Sequence, residues 1–269
     1  LRLHTRAGDL VVGTADCHVL RSEGGAAAGL SGLQIETLGD ADGFDATALR
    51  RILPPDDPHF APLTLVCLEN THNAAGGRVQ PLEQTREVAA LARDRGIALH
   101  LDGARLWNAV AASGHAAEAL ALPFDTVSVC LSKGLGAPLG SVVALNADRL
   151  GALRRIRKML GGGMRQAGIV AAAGIHALEH HRERLQEDHA NAKRLAEGLR
   201  ALGYGADEPE TNSVMFRVEA PAAFVEQARV RGVLVGRFDA ERLRAVTHLG
   251  VTRADLEEAL GRLRELSRP

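Results

Sequence analysis

The sequence predicts an α/β protein, with a large domain on a mostly parallel sheet and a small C-terminal α+β domain. Three observations lead there. Through the first half, short continuous apolar runs alternate with helix-like segments, the pattern of strands buried on both faces of a parallel sheet. Near residue 148 the chain turns almost wholly helical. After Gly205 it breaks into short strands and a last helix. The chain's 269 residues can bury a substantial core. A large domain over 1–181 is expected, then a long connecting helix and small domain over 182–269.

The elements follow in order. "LRLHTRAGDLVVGT" reads as a helix end, a turn at Gly8-Asp9 and a strand at Leu10–Val12, followed by the Gly/Ala-rich "EGGAAAGLSG" (23–32). "LTLVCLEN" (63–70) is a strand that runs into a loop. "PLEQTREVAALARDRG" (81–96) has Pro at its start, apolar residues at helical spacing and a closing Gly, which predicts a helix. Then come the strand "IALHLD" (97–102), a helix around 104–112, and strands in "DTVSVCLSKG" (125–134) and "GSVVAL" (140–145). "NADRLGALRRIRKML" reads as one helix, and the stretch from Met164 to Gly203 as one or two more. "SVMFRV" and "AVTHLG" are short strands, and "TRADLEEALGRLREL" is the terminal helix.

Bulk composition narrows the function. The chain is 46% hydrophobic and 24% charged, with a net charge of −1 and no basic or acidic block, which argues against nucleic acid and anionic membrane as partners. No run approaches a membrane span and no secretory leader is visible. Cys17, Cys67 and Cys130 form no paired spacing, so a reduced, cytoplasmic setting is expected. Of 32 basic residues only Lys133, Lys158 and Lys193 are lysine. In a chain that uses Arg for routine charge, each lysine raises the question of whether a deprotonatable amine is needed there.

Three successive apolar strands end in reactive residues: Glu69, Asn70 and then His72; Asp102 with Arg105; Ser132 with Lys133. In open α/β sheets ligands sit outside the carboxyl ends of the strands, so these groups should converge. Each has a plainer reading. Asp102 could cap the helix that follows it, Lys133 could be a solvated loop residue, and His72 a hydrogen-bonded loop histidine. But Lys133 lies in the Gly-rich "SKGLGAPLG" of a lysine-poor chain. A lysine and a carboxylate on neighbouring strands fit Schiff-base chemistry. The amine attacks a carbonyl once its pKa is lowered. If that carbonyl belongs to pyridoxal phosphate, a carboxylate such as Asp102 keeps the pyridine nitrogen protonated, and Arg105 could bond the phenolic oxygen.

These residues resemble the threonine aldolases, pyridoxal-phosphate enzymes of the aspartate-aminotransferase-like fold (fold type I). The matching segments are "LVCLENTHNAAGGRV", "LHLDGARLWNA", "SVCLSKGLGAPLGS", "RKMLGGGMRQAGIVAAAGIHAL" and "LRAVTHLGVT", in the family's order and over nearly the whole chain. The resemblance implies that Lys133 carries the cofactor, Asp102 pairs with the pyridine nitrogen and Arg105 with its O3′. It implies that His18, in "DCHVLRSE", stacks on the ring, that His72 lies near the substrate hydroxyl, and that Arg244, in "LRAVTH", holds the substrate carboxylate. Lys158 matches a lysine reaching a neighbouring subunit's cofactor phosphate, which implies a homo-oligomer, dimer or tetramer. The implied reaction cleaves L-threonine or L-allo-threonine to glycine and acetaldehyde. The base is His18 or His72, directly or through water; the resemblance does not choose.

Two departures stand out. The family's N-terminal segment, with a serine for the substrate carboxylate and a Ser-Gly-Thr-type phosphate loop, has no counterpart here, so the chain is expected to be a fragment. Leu20 and Ser22 stand where the family shows aromatics. Rival readings are a catalytically incompetent remnant that keeps its oligomer surface, or another lyase or aminotransferase of the same fold. "HALEH" (176–180) fits the H-x-x-E-H zinc pattern but reads as a polar helix face, and "DADGFD" (40–45) lacks the remaining ligands of a calcium loop, so no metal is expected.

Overall fold

Strands apolar on both sides line up through the large domain. The computed structural model describes residues 1–40 and 42–266; Ala41, within the stretch compared with a calcium loop, lies outside them. β1 (Leu10–Thr14), β2 (Gln34–Leu38), β3 (Leu63–Glu69), β4 (Ala98–Asp102), β5 (Thr126–Cys130) and β6 (Ser141–Leu145) form one sheet in the order β2-β1-β3-β4-β5-β6. Along β3, Val66 and Leu68 join Val12, Val88, Leu91 and Leu99 in one core, while Leu65 and Cys67 join Val11 and Leu33 in another. That two-sided burial is what the unbroken apolar run encodes. The helix Leu82–Asp94 starts after Pro81 and buries Leu82, Val88, Ala89, Leu91 and Ala92.

β1 to β5 pair in parallel, whereas β6 runs antiparallel to β5. The connection Leu131–Gly140 is too short for the crossover helix a parallel neighbour requires. The half-exposed β2 and the short helix Ala46–Arg51 have no counterpart in the sequence pattern. The expected helix from Asn146 begins as a 3-10 turn, and the α-helix proper is Leu150–Met159.

In the small domain, β7 (Gly205–Ala206), β8 (Ser213–Arg217), β9 (Gly236–Arg237) and β10 (Arg242–Val246) form an antiparallel sheet in the order β7-β8-β10-β9. The helix Leu185–Ala201 lies across it, and Leu195, Leu199, Phe216, Phe224, Leu243 and Leu260 form the core. Gly198 lets the terminal helix Arg253–Leu263 come close: a Cβ there would fall 2.3 Å from Leu260 Cδ1. The last strand lies earlier than "AVTHLG" indicates and stops at Val246; just beyond it the Thr247 hydroxyl donates to the Asp188 carbonyl at 2.6 Å.

β1 has β2 on one side and β3 on the other. The chain therefore leaves β1 toward one edge, while β3 leads toward the opposite edge. In open α/β sheets such a switch point is where a ligand crevice forms, beyond the carboxyl ends of the two strands.

Candidate active site

Each predicted group on the large sheet is carried to that end by its strand. Asp102 is the last residue of β4 and lies in register with Glu69, the last of β3. In parallel neighbours such a pair shares a face, so two carboxylates sit side by side. Burial raises the Asp102 pKa above the usual carboxylate range, and the Glu69 charge raises it further; the Ala104 N–H, His18 and Lys133 oppose the shift. Asp102 does not cap the following helix. The helix Leu106–Ser113 begins after Arg105, and Asp102 Oδ1 accepts only the Ala104 N–H, at 3.2 Å.

Arg105 is half-buried, and among the described residues its guanidinium makes no hydrogen bond or ion pair. Burial pulls its pKa down, and the neighbouring Arg244 charge adds to that. Arg244, on β10, is also pulled down by burial; it donates to Asn73 Oδ1 at 2.8 Å and lies 5.3 Å over the Phe238 ring. One small-domain cation is thus brought beside the large-domain site.

Lys133 stands in a loop that closes on itself. The Gly136 N–H donates to the Lys133 carbonyl at 2.9 Å, and the Ala137 N–H to Leu131 at 3.0 Å. Gly134 presses on Asn108, whose Oδ1 would lie 2.8 Å from any Cβ added there. The Lys133 amine is half-buried with no hydrogen bond or ion pair among the described residues.

The two histidines differ. His18 opens the short helix after β1, with its peptide N–H bonded to Glu69 Oε2 at 2.9 Å and its Nε2 2.8 Å from Glu23 Oε1. His72 is fully buried; its Nε2 bonds the Thr14 hydroxyl at 2.9 Å and its Nδ1 has no partner. Lys158 is the outlier. It projects from the exposed helix Leu150–Met159 and shares no hydrogen bond or ion pair with the others.

Three contributors escape a reading of strand ends. Glu69 appears there as a strand-end residue without a role, yet it is 4% exposed and binds two loops. Asn73 and Asn108 hold Arg244 and back the Lys133 loop. Asn73 adjoins His72 and Asn108 lies three residues after Arg105, a weak local signal of their involvement.

This donor set suits a planar, charged, carbonyl-bearing ligand. A carboxylate is left with one weak contact, an amine and a guanidinium with none, and a buried imidazole nitrogen with no partner. Buried polar groups are ordinarily satisfied, and such exceptions mark places where a ligand completes the set. Pyridoxal phosphate fits, with Asp102 for the pyridine nitrogen and Lys133 for the carbonyl carbon.

Comparison with known proteins agrees. The profile of the beta-eliminating lyase family matches residues 1–221. The low specificity L-threonine aldolase of Escherichia coli K12 is 44% identical over 259 residues, spanning 94% of this chain and 75% of that protein. The low-specificity L-threonine aldolase 1 of Arabidopsis thaliana is 37% identical over 267 residues, 95% of this chain and 74% of its own. Among solved structures, threonine aldolase from Leishmania major superposes with a TM-score of 0.82 at 19% identity, over 99% of this chain and 80% of that one. Serine palmitoyltransferase from Sphingomonas wittichii gives 0.74 at 21% identity, over 97% and 67%. At these identities the structural likeness is one of fold.

Proposed function

We propose a function from one premise: the chain belongs to the beta-eliminating lyase family, among the low-specificity L-threonine aldolases. It is a carbon–carbon lyase that uses pyridoxal phosphate to cleave L-threonine or L-allo-threonine into glycine and acetaldehyde. What carries this reading is the meeting of Lys133, Asp102 and Arg105 at the carboxyl ends of adjacent strands, each with polar capacity the protein leaves unused.

When bound, the cofactor supplies an electron sink for the pair released as the Cα–Cβ bond breaks. The protein does the rest. Lys133 would hold the cofactor's carbonyl carbon through Nζ. Asp102 would keep a proton on the pyridine nitrogen; burial and Glu69 raise its own pKa, and a pyridinium beside it would favour its charged form. Arg105 would bond the ring oxygen, and Arg244, held by Asn73 on one side and stacked on Phe238, would grip the substrate carboxylate. His18 takes the β-hydroxyl proton. Each ring has one nitrogen engaged, His18 Nε2 with Glu23 and His72 Nε2 with Thr14; what favours His18 is that its ring is partly open, whereas His72 is fully enclosed.

We also propose a homo-oligomer, with Lys158 reaching a neighbouring copy. Supporting this, Met159, Leu160, Met164 and Ile169 expose apolar surface from the end of that helix through the connection to the next, Ile169 to 87%. No helix among the described residues is long and apolar enough to cross a membrane. The three unpaired thiols support a cytoplasmic setting.

The test is stoichiometric. With pyridoxal phosphate and L-threonine, the chain should release glycine and acetaldehyde in equal amounts with no amino acceptor. A requirement for an acceptor, or turnover that survives Lys133→Ala, overturns the assignment.

A further inference from the structure

We propose that Glu69 is the positioning residue of this site, a buried two-headed clamp that holds the His18 loop and, through Asn73, the Arg244 guanidinium in one frame. The inference rests on the reading of His18 and Arg244 given above.

Glu69 ends β3, beside the switch point, and is 4% exposed. Its Oε2 accepts the peptide N–H of His18, which leaves β1, and its Oε1 accepts the peptide N–H of Asn73, which leaves β3; both bonds are 2.9 Å. No cation pairs with it directly among the described residues. A buried carboxylate is costly unless its oxygens are satisfied, so the two peptide donors are what keep it there. The line continues: Asn73 spends its own Oδ1 on Arg244 Nη1 at 2.8 Å. Four groups from three chain segments are therefore in series, His18–Glu69–Asn73–Arg244. One end faces the cofactor ring and the other the substrate carboxylate. A 1 Å slip at either end would spoil the alignment of the Cα–Cβ bond with the ring.

The clamp needs two acceptors at once, and this makes it testable. In Glu69→Gln the size is kept but one oxygen becomes an amide N–H₂, which must face one of the two peptide N–H groups. One loop is released while the fold retains an isosteric side chain. Purified Glu69→Gln with pyridoxal phosphate should show altered visible circular dichroism of the bound cofactor, and kcat/KM for threonine lower by about tenfold to a hundredfold. Asn73→Ala should raise KM for threonine and leave the cofactor signal unchanged. The double variant should raise KM by less than the product of the single effects, because both act through Arg244. Wild-type cofactor dichroism and wild-type kinetics in Glu69→Gln, or a loss confined to thermal stability, overturn the clamp. Failure of the underlying reading shows elsewhere, as turnover in Lys133→Ala.

Discussion

Two polar clusters lie close together in this molecule and are built on opposite rules. Beyond the carboxyl ends of β4 and β5, Lys133 and Arg105 have no hydrogen-bond or ion-pair partner among the described residues and Asp102 has one weak contact. Behind them, where the small domain meets the large, nearly every polar group is paired. Asn108 donates to His189 Nε2 at 3.1 Å and to Asn212 Oδ1 at 3.3 Å; Asn212 donates to the Thr247 carbonyl at 2.8 Å; and Arg184 grips Asp188 with both terminal nitrogens. Unused capacity awaits a ligand, while spent capacity fixes a shape. The paired cluster is the footing of the other, since Asn108 also backs Gly134 beside Lys133.

The largest effect should separate the two rules. Lys133→Ala should drop threonine turnover to background while moving the melting temperature by no more than about 2 °C, because the amine supports nothing in the fold. A large loss of stability would mean that the site is also structural. Asp188→Ala should do the reverse. Its side chain is fully buried and bidentate with Arg184, which is partly exposed and has Glu187 at 3.8 Å as a second neighbour, so removing it should cost about 1–3 kcal/mol of stability, read by urea melts. Activity per folded molecule should change little.

Acid offers a graded version. Burial lowers the His189 pKa to about 4, and its Nε2 must stay unprotonated to accept from Asn108. A depressed folded-state pKa gives stability that is present above the unfolded value of about 6.5 and lost as pH falls toward about 4. The full loss attributable to His189 is about 3 kcal/mol. His189→Gln, which can still accept from Asn108, should flatten the stability profile between those pH values. An unchanged slope would remove His189 from the paired cluster's acid response. The smallest effect belongs to Thr252→Ala, which breaks the capping box with Asp255 at the start of the terminal helix and should cost about 1 kcal/mol. It should leave kinetics untouched.

Local pattern carried much of this. The apolar runs of β3, β4 and β5, each cut off by a polar residue, betray both the sheet and the end where the site forms. The scarcity of lysine singles out Lys133. What stayed hidden depends on partners far away in sequence. Glu69 reads as one more strand-end carboxylate until the peptide groups of residues 18 and 73 are seen to meet on it. Asp102 can be read as a helix cap until the helix is found to start after Arg105. The reversed direction of β6 was recoverable from the short connection before it, whereas β2, half-exposed and of mixed composition, left no periodic trace.

The switch point also sets an order of events during synthesis. Every pairing between β1 and β5 is non-local, and the last contributor, Arg244, emerges long after Lys133. A ribosome-bound chain that has passed Lys133 but not β10 already carries that amine and its neighbour Asp102, yet lacks the Arg244 guanidinium. If Arg244 holds the substrate carboxylate as proposed, the small antiparallel sheet acts as a late key, since β10 can pair only after β8 has been made.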